Sequence, residues 1–367
     1  MQASASVVTD HFGEILRRLP GDLDLDRLAL ESKALSRRRG VPNAAALLHL
    51  ALVRGPGGMS LRQTAAWACV QNVAELSNPS LKERLDNACG FLAAVVDRLL
   101  VAKTGGPSLH WPGRLLRVAD GTSISEPGSS GTDWRVHGVF DLGGGGFAHL
   151  ELTDGRAAET ITRGAALPGE IRIGDRGFAK APALSQLRHD SAGAADFIVR
   201  LPWNGFRFRD ADNKPLKLIE YLQKLPADPG PHEVVVQAVL RQRGAAPLPM
   251  RLIILRKPPD AAAKACKKLL RKASKNQRAL DPGSLIAAEF LVLGTSLPAE
   301  DYPAHEVLSA YRLRWQIELA FKRLKSLLRI DQLPTHSERG SRSWLYAHLI
   351  LALLCDEISQ EILESFP

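Results

Sequence analysis

The chain has 367 residues and is 45% hydrophobic, which is enough for roughly two or three units with packed cores. Its formal charge of +9 favours a polyanionic partner, because binding to phosphates releases counterions. The four cysteines lie far apart, which argues against a zinc site or a disulfide framework and for a reducing cytoplasm. We recognise no export signal and no apolar stretch long enough to span a bilayer, and therefore expect a cytoplasmic protein without a membrane partner.

Residues 1–105 are predicted to form an all-α N-terminal domain. Apolar residues recur at helical spacing in Ala44–Val53, Leu61–Val70 and Phe91–Val101. Ser60 can cap the helix that starts at Leu61, and a second short helix from Leu81 follows at roughly the spacing of a helix-turn-helix. An ordinary helical bundle explains the pattern equally well.

Strand-like runs replace the helical pattern from residue 106 onward. In residues 106–201 they predict a mixed sheet, and in residues 202–303 they continue as a strand-rich stretch that contains a basic helix. The predicted elements of these two parts are Leu115–Val118, Val136–Asp141, His149–Thr153, Ile171–Gly174, Phe197–Leu201, Glu233–Arg241, Met250–Leu255, Phe290–Leu293 and the helix Lys264–Arg278.

A glycine run, Gly143–Gly146, lies between two of the predicted strands. It lacks the Lys and Ser/Thr of a phosphate-binding loop, so we interpret it as a hairpin turn. Residues 304–367 finish the chain with two helical patterns, Ala304–Leu328 and Ser341–Ser365, whose apolar stripes should pack against the sheet.

Two aspartates follow strand-like runs and precede glycine-containing turns. Asp120 follows Leu115–Ala119, and Asp175 follows Ile171–Gly174. Two strand-end carboxylates in one sheet can converge on a hard cation such as Mg²⁺. Each motif alone is explained as well or better by an ordinary turn aspartate.

A third acid lies in the helical pattern near the C-terminus. At 100° per residue, Tyr311, Arg314, Glu318 and Lys325 fall within a sector of about 60°, opposite an apolar face. An Arg314–Glu318 ion pair on a solvated surface would explain two of these residues. A DNA strand that crosses the helix would explain all four.

The spacing of these four residues resembles the Tyr-Arg-Glu-Lys signature of the IS-four family of bacterial insertion-sequence transposases. The Asp120-Gly121-Thr122 and Asp175-Arg176-Gly177-Phe178 segments are similar to the two aspartate motifs of that family. The resemblance implies an α/β fold: a ribonuclease H-like catalytic core (residues 106–201 and 304–367) interrupted by a β-rich insertion (residues 202–303), preceded by an all-α N-terminal DNA-binding domain.

The resemblance also implies a chemistry and its residues. Asp120, Asp175 and Glu318 would hold two Mg²⁺ ions, with Mn²⁺ able to substitute, and would catalyse DNA cleavage and strand transfer. The partners would be double-stranded DNA, comprising transposon ends and target, and a second copy of the chain. The protein would associate with the bacterial nucleoid. The residues expected to contact DNA are Tyr311, Arg314, Lys325, Lys322, Arg176, Lys268, Arg271, Lys272 and Phe290.

Two residue groups in this list have plainer explanations. Phe290 is nominated to stack on a flipped base, although a core position in a buried strand explains it slightly better. The basic helix is often only a solvated face. Two other functions also remain open: a related metal-dependent nuclease that cuts without joining, and a catalytically inactive sequence-specific DNA-binding protein.

Overall fold

The computed structural model describes residues 12–101, 111, 113–226, 228, 230–242, 244–277, 279–326 and 328–365, with side chains described to residue 355. Residues 1–11 and 102–105 of the predicted N-terminal domain, residues 106–110 at the start of the predicted catalytic core, and Arg278 at the end of the predicted basic helix lie outside these ranges. No helix within them is long and apolar enough to cross a membrane.

The described residues up to 101 are helical, as predicted. Ser60 forms a capping box with Gln63, in which each side chain bonds to the other's backbone N–H. Ser77 caps the next helix, which begins at Asn78 rather than at Leu81. The helices are α1 (Phe12–Arg17), α2 (Leu25–Glu31), α3 (Ala44–Arg54), α4 (Leu61–Val70), α5 (Asn78–Asn87) and α6 (Cys89–Val101).

A ten-stranded mixed sheet makes up the centre of the described structure, in the order β3-β2-β1-β4-β5-β10-β9-β8-β6-β7. β1 pairs in parallel with β4, and β4 with β5, while every other neighbouring pair is antiparallel. The strands are β1 (Leu115–Ile124), β2 (Trp134–Asp141), β3 (Gly146–Asp154), β4 (Glu170–Gly174), β5 (Asp196–Arg200), β6 (Phe208–Arg209), β7 (Pro215–Leu216), β8 (His232–Ala238), β9 (Leu248–Arg256) and β10 (Phe290–Thr295).

The sheet confirms the mixed α/β class and the hairpin turn between β2 and β3. Strands from residues 202–303 continue the sheet formed by β1–β5, since β10 pairs directly with β5. The helices that follow β4 are α7 (Ala181–Asp190), α8 (Leu218–Lys224), α9 (Pro259–Lys275), α10 (Pro282–Ala288), α11 (Ala304–Arg312), α12 (Trp315–Ser326) and α13 (Glu338–Ser365).

Helix α13 joins the N-terminal helices to the sheet. It packs against α3, α5 and α6 on one side and against β3 on the other. One hydrophobic cluster therefore extends from Leu47 in α3 through Leu349 in α13 to Phe147 in β3. A second cluster includes Phe197 in β5 and Leu252 in β9. Burial of these faces supplies the main driving force for the arrangement.

Candidate active site

The two aspartates lie side by side on neighbouring strands. Asp120 follows Ala119 in β1, Asp175 follows Gly174 at the end of β4, and Ala119 pairs with Gly174. Parallel pairing thus brings the two residues to the same level of the sheet. Asp120 is not at a strand end, as we expected it to be, because antiparallel pairing with β2 extends β1 to Ile124.

The surroundings of Asp120 disfavour its charge. Burial raises the pKa of Asp120 to about 6, and the neighbouring charges of Asp175 and Glu159 act in the same direction. The Gly121 N–H, which donates to Asp120 Oδ1 at 2.8 Å, and the more distant Arg314 only partly oppose these effects. The charged form of Asp120 is therefore incompletely compensated, and a divalent cation is the kind of group that would stabilise it.

Glu318, on α12, shares a cavity of about 600 Å³ with Asp120. Its carboxylate is paired with Arg314 at 2.5 Å. Asp175 lines a neighbouring cavity of about 450 Å³ instead. Within the described ranges no three His, Cys, Asp or Glu side chains are grouped closely enough to hold a metal ion. Asp120 is thus close to each of the other two acids, but the three do not converge while Arg314 holds Glu318.

The Tyr-Arg-Glu-Lys segment does not form one helix, and the prediction of a continuous helix over Ala304–Leu328 is wrong. The segment breaks between α11 and α12, where Arg314 N–H donates to the carbonyl of Tyr311 and Gln316 N–H to that of Leu313. These bonds span three residues rather than four and tighten the turn. The sequence has no Gly or Pro at the break, so the periodicity of apolar residues predicted a helix that continues across it.

Three of the four signature residues, Tyr311, Arg314 and Glu318, remain in contact across the break, and Lys325 lines the same cavity as Glu318. The Arg314 guanidinium lies 6.0 Å from the centre of the Tyr311 ring and pairs with Glu318 on its other side. Burial raises the pKa of the Tyr311 hydroxyl, which is therefore neutral at physiological pH. Lys325 Nζ donates to the Ser123 carbonyl of β1 at 3.2 Å, and Lys322 and Lys325 line the cavity that holds Asp120 and Glu318.

The cavity beside Asp175 is lined by cations from four parts of the chain. Arg176 follows Asp175, Arg200 ends β5, Lys257 follows β9, and α9 contributes Lys268 and Lys272. Burial and the neighbouring arginines lower the pKa of Lys257, as expected for positive charges gathered without enough anions. Such a cavity can hold phosphate groups. Arg271 is exposed on α9 and is not among the lining residues.

Phe290 occupies a core position. It is only 3% exposed, and the Arg256 guanidinium lies 4.4 Å from the centre of its ring. A ring covered in this way cannot stack on a base without rearrangement, so the position favours the core interpretation. Trp203, which lines the same cavity and is only partly buried, offers a more accessible aromatic surface.

Sequence reasoning missed several residues that the fold brings to the site. Glu159, Arg200, Lys257 and Trp203 stand in segments without a motif, and the residues nearest to them in space are distant in sequence. For Arg200, at the end of a predicted strand that neighbours the Asp175 strand, and for Trp203, just after that strand, the position was a usable signal. For Glu159, in the loop between β3 and β4, the sequence offered none.

Comparison with known proteins identifies the family of the chain. The family model described as "Transposase DDE domain" matches residues 111–354, which is more than half of the chain. The transposase for insertion sequence element IS421 of Escherichia coli is 40% identical over 363 residues, covering 98% of this chain and 96% of that protein. InsL of insertion sequence element IS186A, from Escherichia coli (strain K12), is 41% identical over 362 residues with the same coverage.

More distant similarities add little to this comparison. The transposase for insertion sequence element IS231F of Bacillus thuringiensis subsp. israelensis is 27% identical over 252 residues, or 62% of this chain and 51% of that protein. A cryo-EM structure of the piggyBac transposase synaptic complex with hairpin DNA matches with a TM-score of 0.43 at 12% identity, covering 96% of this chain and 64% of that one. The assignment does not depend on either of them. From the domain match and the near full-length relatives, the chain belongs to the DDE transposases of bacterial insertion sequences, in the IS-four family that its Tyr-Arg-Glu-Lys signature indicated.

Proposed function

We propose that the chain cuts and joins DNA at the ends of an insertion sequence, with Asp120, Asp175 and Glu318 as its catalytic acids. One observation carries this assignment: parallel pairing of β1 and β4 sets Asp120, which shares a cavity with Glu318, beside Asp175, which lies on a cavity lined by cations. DNA cleavage needs both features, because carboxylates hold metal ions and cations hold the phosphate backbone.

The acids present fit divalent metal ions. The donors are carboxylates, which Mg²⁺ prefers, and burial, together with the charge of Asp175, raises the pKa of Asp120, a penalty on the charged form that a bound cation would offset. Asp120, Asp175 and Glu318 would hold two Mg²⁺ ions, with Mn²⁺ able to substitute. When bound, such ions activate a water or a 3′-hydroxyl as nucleophile and stabilise the leaving oxygen.

Arg314 would change partners when DNA binds. It now pairs with Glu318, and a DNA phosphate offers it an alternative bidentate partner. Transfer of Arg314 to the phosphate would free the Glu318 carboxylate to turn towards Asp120 across the cavity that they share. Lys325 and Lys322 would bind phosphates along the same cavity, while Tyr311 holds the stem of Arg314 in place.

The cation-lined cavity would bind a second stretch of the DNA backbone. Arg176, Lys268 and Lys272 were expected to contact DNA, and Arg200 and Lys257 join them on its wall. Arg271 would reach only phosphates outside the cavity. Of the two aromatic residues there, Trp203 rather than Phe290 has the exposure that stacking on a base requires.

The remaining parts of the proposal concern organisation. A ribonuclease H-like core, made of residues 106–201 and 304–367, is supported by the shared sheet and by the placement of both aspartates within it. The predicted N-terminal domain, residues 1–105, would bind the transposon end, and residues 202–303 would act as the insertion. Two copies of the chain would act together, because an element has two ends to cut.

Cleavage of a supercoiled plasmid that carries the element's own ends tests the function. The wild type should nick at the ends and then join them to target DNA, but only with Mg²⁺ or Mn²⁺ present. Glu318→Gln and Asp175→Asn should bind the same DNA and give neither product. Arg271→Gln, which changes a charge outside both cavities, serves as the control and should retain both products.

The other outcomes separate the alternatives. Cutting without any joined product would favour a related nuclease. Sequence-specific binding without cutting by the wild type would favour an inactive DNA-binding protein. Cutting by Glu318→Gln at the wild-type rate would remove Glu318 from the catalytic set.

A further inference from the structure

Another cavity lies within the N-terminal helices and shares no lining residue with the cavities of the catalytic acids. Its volume is about 450 Å³, and it lies between α5 and the loop that joins α2 to α3. Lys33, Arg37 and Arg39 reach it from this loop, and Arg84 reaches it from α5. Four cations from two segments of the chain therefore line one cavity, and Lys and Arg side chains are the usual ligands of DNA phosphates.

The α2–α3 loop is anchored in a way that leaves its cations exposed. Its apolar residues Ala34, Leu35 and Val41 are buried in the core, whereas its basic side chains are exposed. Arg84 Nη2 donates to the carbonyl of Arg39 at 3.0 Å, which ties the end of the loop to α5. The cations therefore project from a backbone that the core and α5 hold in place.

The positive charge of the loop is largely unpaired. Residues 32–43 contain four cations and no acid. Within the described part of the chain, the one ion pair that they form joins Arg38 to Asp26 at 3.8 Å, and Arg38 does not line the cavity. The fold thus leaves the charges of Lys33, Arg37 and Arg39 without acidic partners, and a polyanion would neutralise them.

Helix α5 presents hydrogen-bonding side chains to the same cavity. Ser80, Glu83 and Asn87 line it at intervals that place them on one face of the helix, while Leu81 and Leu85 are buried on another. The three polar residues are exposed. Side chains of these types bind base edges in the major groove, where Asn pairs with adenine and Glu accepts from the amino group of cytosine. A face that can contact bases therefore lies beside a loop that can bind phosphates.

We propose that this cavity is the surface that binds double-stranded DNA at the transposon end. The exposed cations of the α2–α3 loop, Arg37 and Arg39 among them, bind phosphates, and Ser80, Glu83 and Asn87 on α5 contact base edges. The inference rests on the proposed function, which gives the transposon end to the N-terminal domain without naming a surface. Phosphate contacts supply affinity for any DNA, whereas base contacts supply preference for the end, so the two roles can be measured separately.

Fluorescence anisotropy in EDTA, with the full chain and a duplex of the element's own end, measures the phosphate contacts without cleavage. The double substitution Arg37→Gln and Arg39→Gln should weaken binding and reduce the slope of log affinity against log salt by about two. Arg38→Gln is the matched control, because Arg38 belongs to the same loop but pairs with Asp26 and does not line the cavity. It should leave the slope nearly unchanged. A wild-type slope in the double variant, or an equal loss per charge in Arg38→Gln, would overturn the proposal.

Two acids on the cavity separate base contact from simple repulsion. Glu83→Gln and Glu75→Gln remove the same charge from the same cavity, but Glu83 lies on α5 and Glu75 precedes the helix. Loss of an acid that only repels phosphates raises the affinity for all DNA alike, so Glu75→Gln should keep the wild-type preference for the end over an unrelated duplex of equal length. Glu83→Gln should lower this preference by about tenfold, the size of one lost base contact. An unchanged preference in Glu83→Gln would overturn the assignment of base contacts to α5.

The failure of this proposal is distinct from that of the proposed function. If the wild type cuts at the ends while the Arg37 and Arg39 double variant binds them as the wild type does, the surface is wrong and the transposase assignment stands. Preference for the end that depends on Glu83, in a wild type that never cuts, would overturn the transposase assignment and support the surface. The expected losses of binding with unchanged melting temperatures would support the surface too, because they exclude misfolding as the cause.

Discussion

Replacement of Asp120 by asparagine removes a charge that the metal-free fold accommodates poorly. The pKa of Asp120 is raised to about 6, mainly by burial, from 3.8 in the absence of the fold. At pH 8 the side chain is ionised in both the folded and the unfolded protein, so the folded state carries the full penalty of the buried charge. This shift in the pKa of Asp120 corresponds to at most about 3 kcal/mol of the free energy of unfolding.

The sign of the pH dependence follows from the direction of the shift. Because the folded state binds the Asp120 proton more tightly than the unfolded state does, this group favours folding most strongly below pH 4. Its favourable contribution is lost as the pH rises through 6. Asparagine has no such dependence, and its side-chain oxygen can still accept the Gly121 N–H. Metal-free Asp120→Asn should therefore be more stable than the wild type at pH 8, and the difference should shrink towards pH 4.5.

Scanning calorimetry in EDTA measures this effect. For a chain of 367 residues, 3 kcal/mol corresponds to a rise in Tm of up to about 4 °C. Added Mn²⁺ should then raise the Tm of the wild type but not that of the variant, because a ligand stabilises only the state that binds it. The order of the two melting temperatures should thus reverse with metal.

A second aspartate provides the control. A hydrogen bond from the Glu126 N–H lowers the pKa of Asp133, so Asp133→Asn should not stabilise the protein at pH 8. An Asp120→Asn variant no more stable than the wild type at pH 8 would refute the reasoning from burial. So would an equal gain at pH 4.5 and pH 8, because a gain independent of pH cannot come from the Asp120 charge.

Two further predictions concern the cavity beside Asp175. The double substitution Lys268→Gln and Lys272→Gln should weaken DNA binding and reduce the slope of log affinity against log salt by about two, as measured by filter binding. Arg271→Gln should have a smaller effect, because Arg271 is not on the cavity wall. Equal effects of the two changes would argue for a general attraction of DNA along α9. In urea unfolding, Phe290→Ala should lower the free energy of unfolding by about 3–5 kcal/mol, because the side chain is buried. In gel-shift assays, Trp203→Ala should mainly reduce the affinity for transposon-end DNA. A loss of DNA affinity in Phe290→Ala with little loss of stability would instead restore Phe290 as the stacking residue.

The sequence by itself determined the class of fold and the family, and it supplied the prediction that Asp120, Asp175 and Glu318 are the catalytic acids. Alternating apolar runs located the strands from Leu115 to Leu293, because a half-buried strand shows its pattern locally. The spacing of Tyr311, Arg314, Glu318 and Lys325 then indicated the family. The sequence alone reveals such patterns, because each of them depends on residues only a few positions apart.

The ends of strands and helices could be predicted less well than their existence. Asp120 was expected at a strand end, yet β1 runs on to Ile124, because β2 supplies pairing partners that β4 does not. The Tyr311–Glu318 segment was expected to be one helix, yet it breaks at Leu313 without a Gly or Pro. In both places the tertiary environment decided the local structure.

Only the tertiary structure decided which groups meet. It paired Ala119 with Gly174 and so set Asp120 beside Asp175, and it placed Glu318 in the same cavity as Asp120. It also brought Glu159 to the aspartates, from an irregular loop in which no periodicity marks a carboxylate as special. Contacts of this kind join residues tens of positions apart, and strand order fixes them, which a single sequence does not reveal through local pattern.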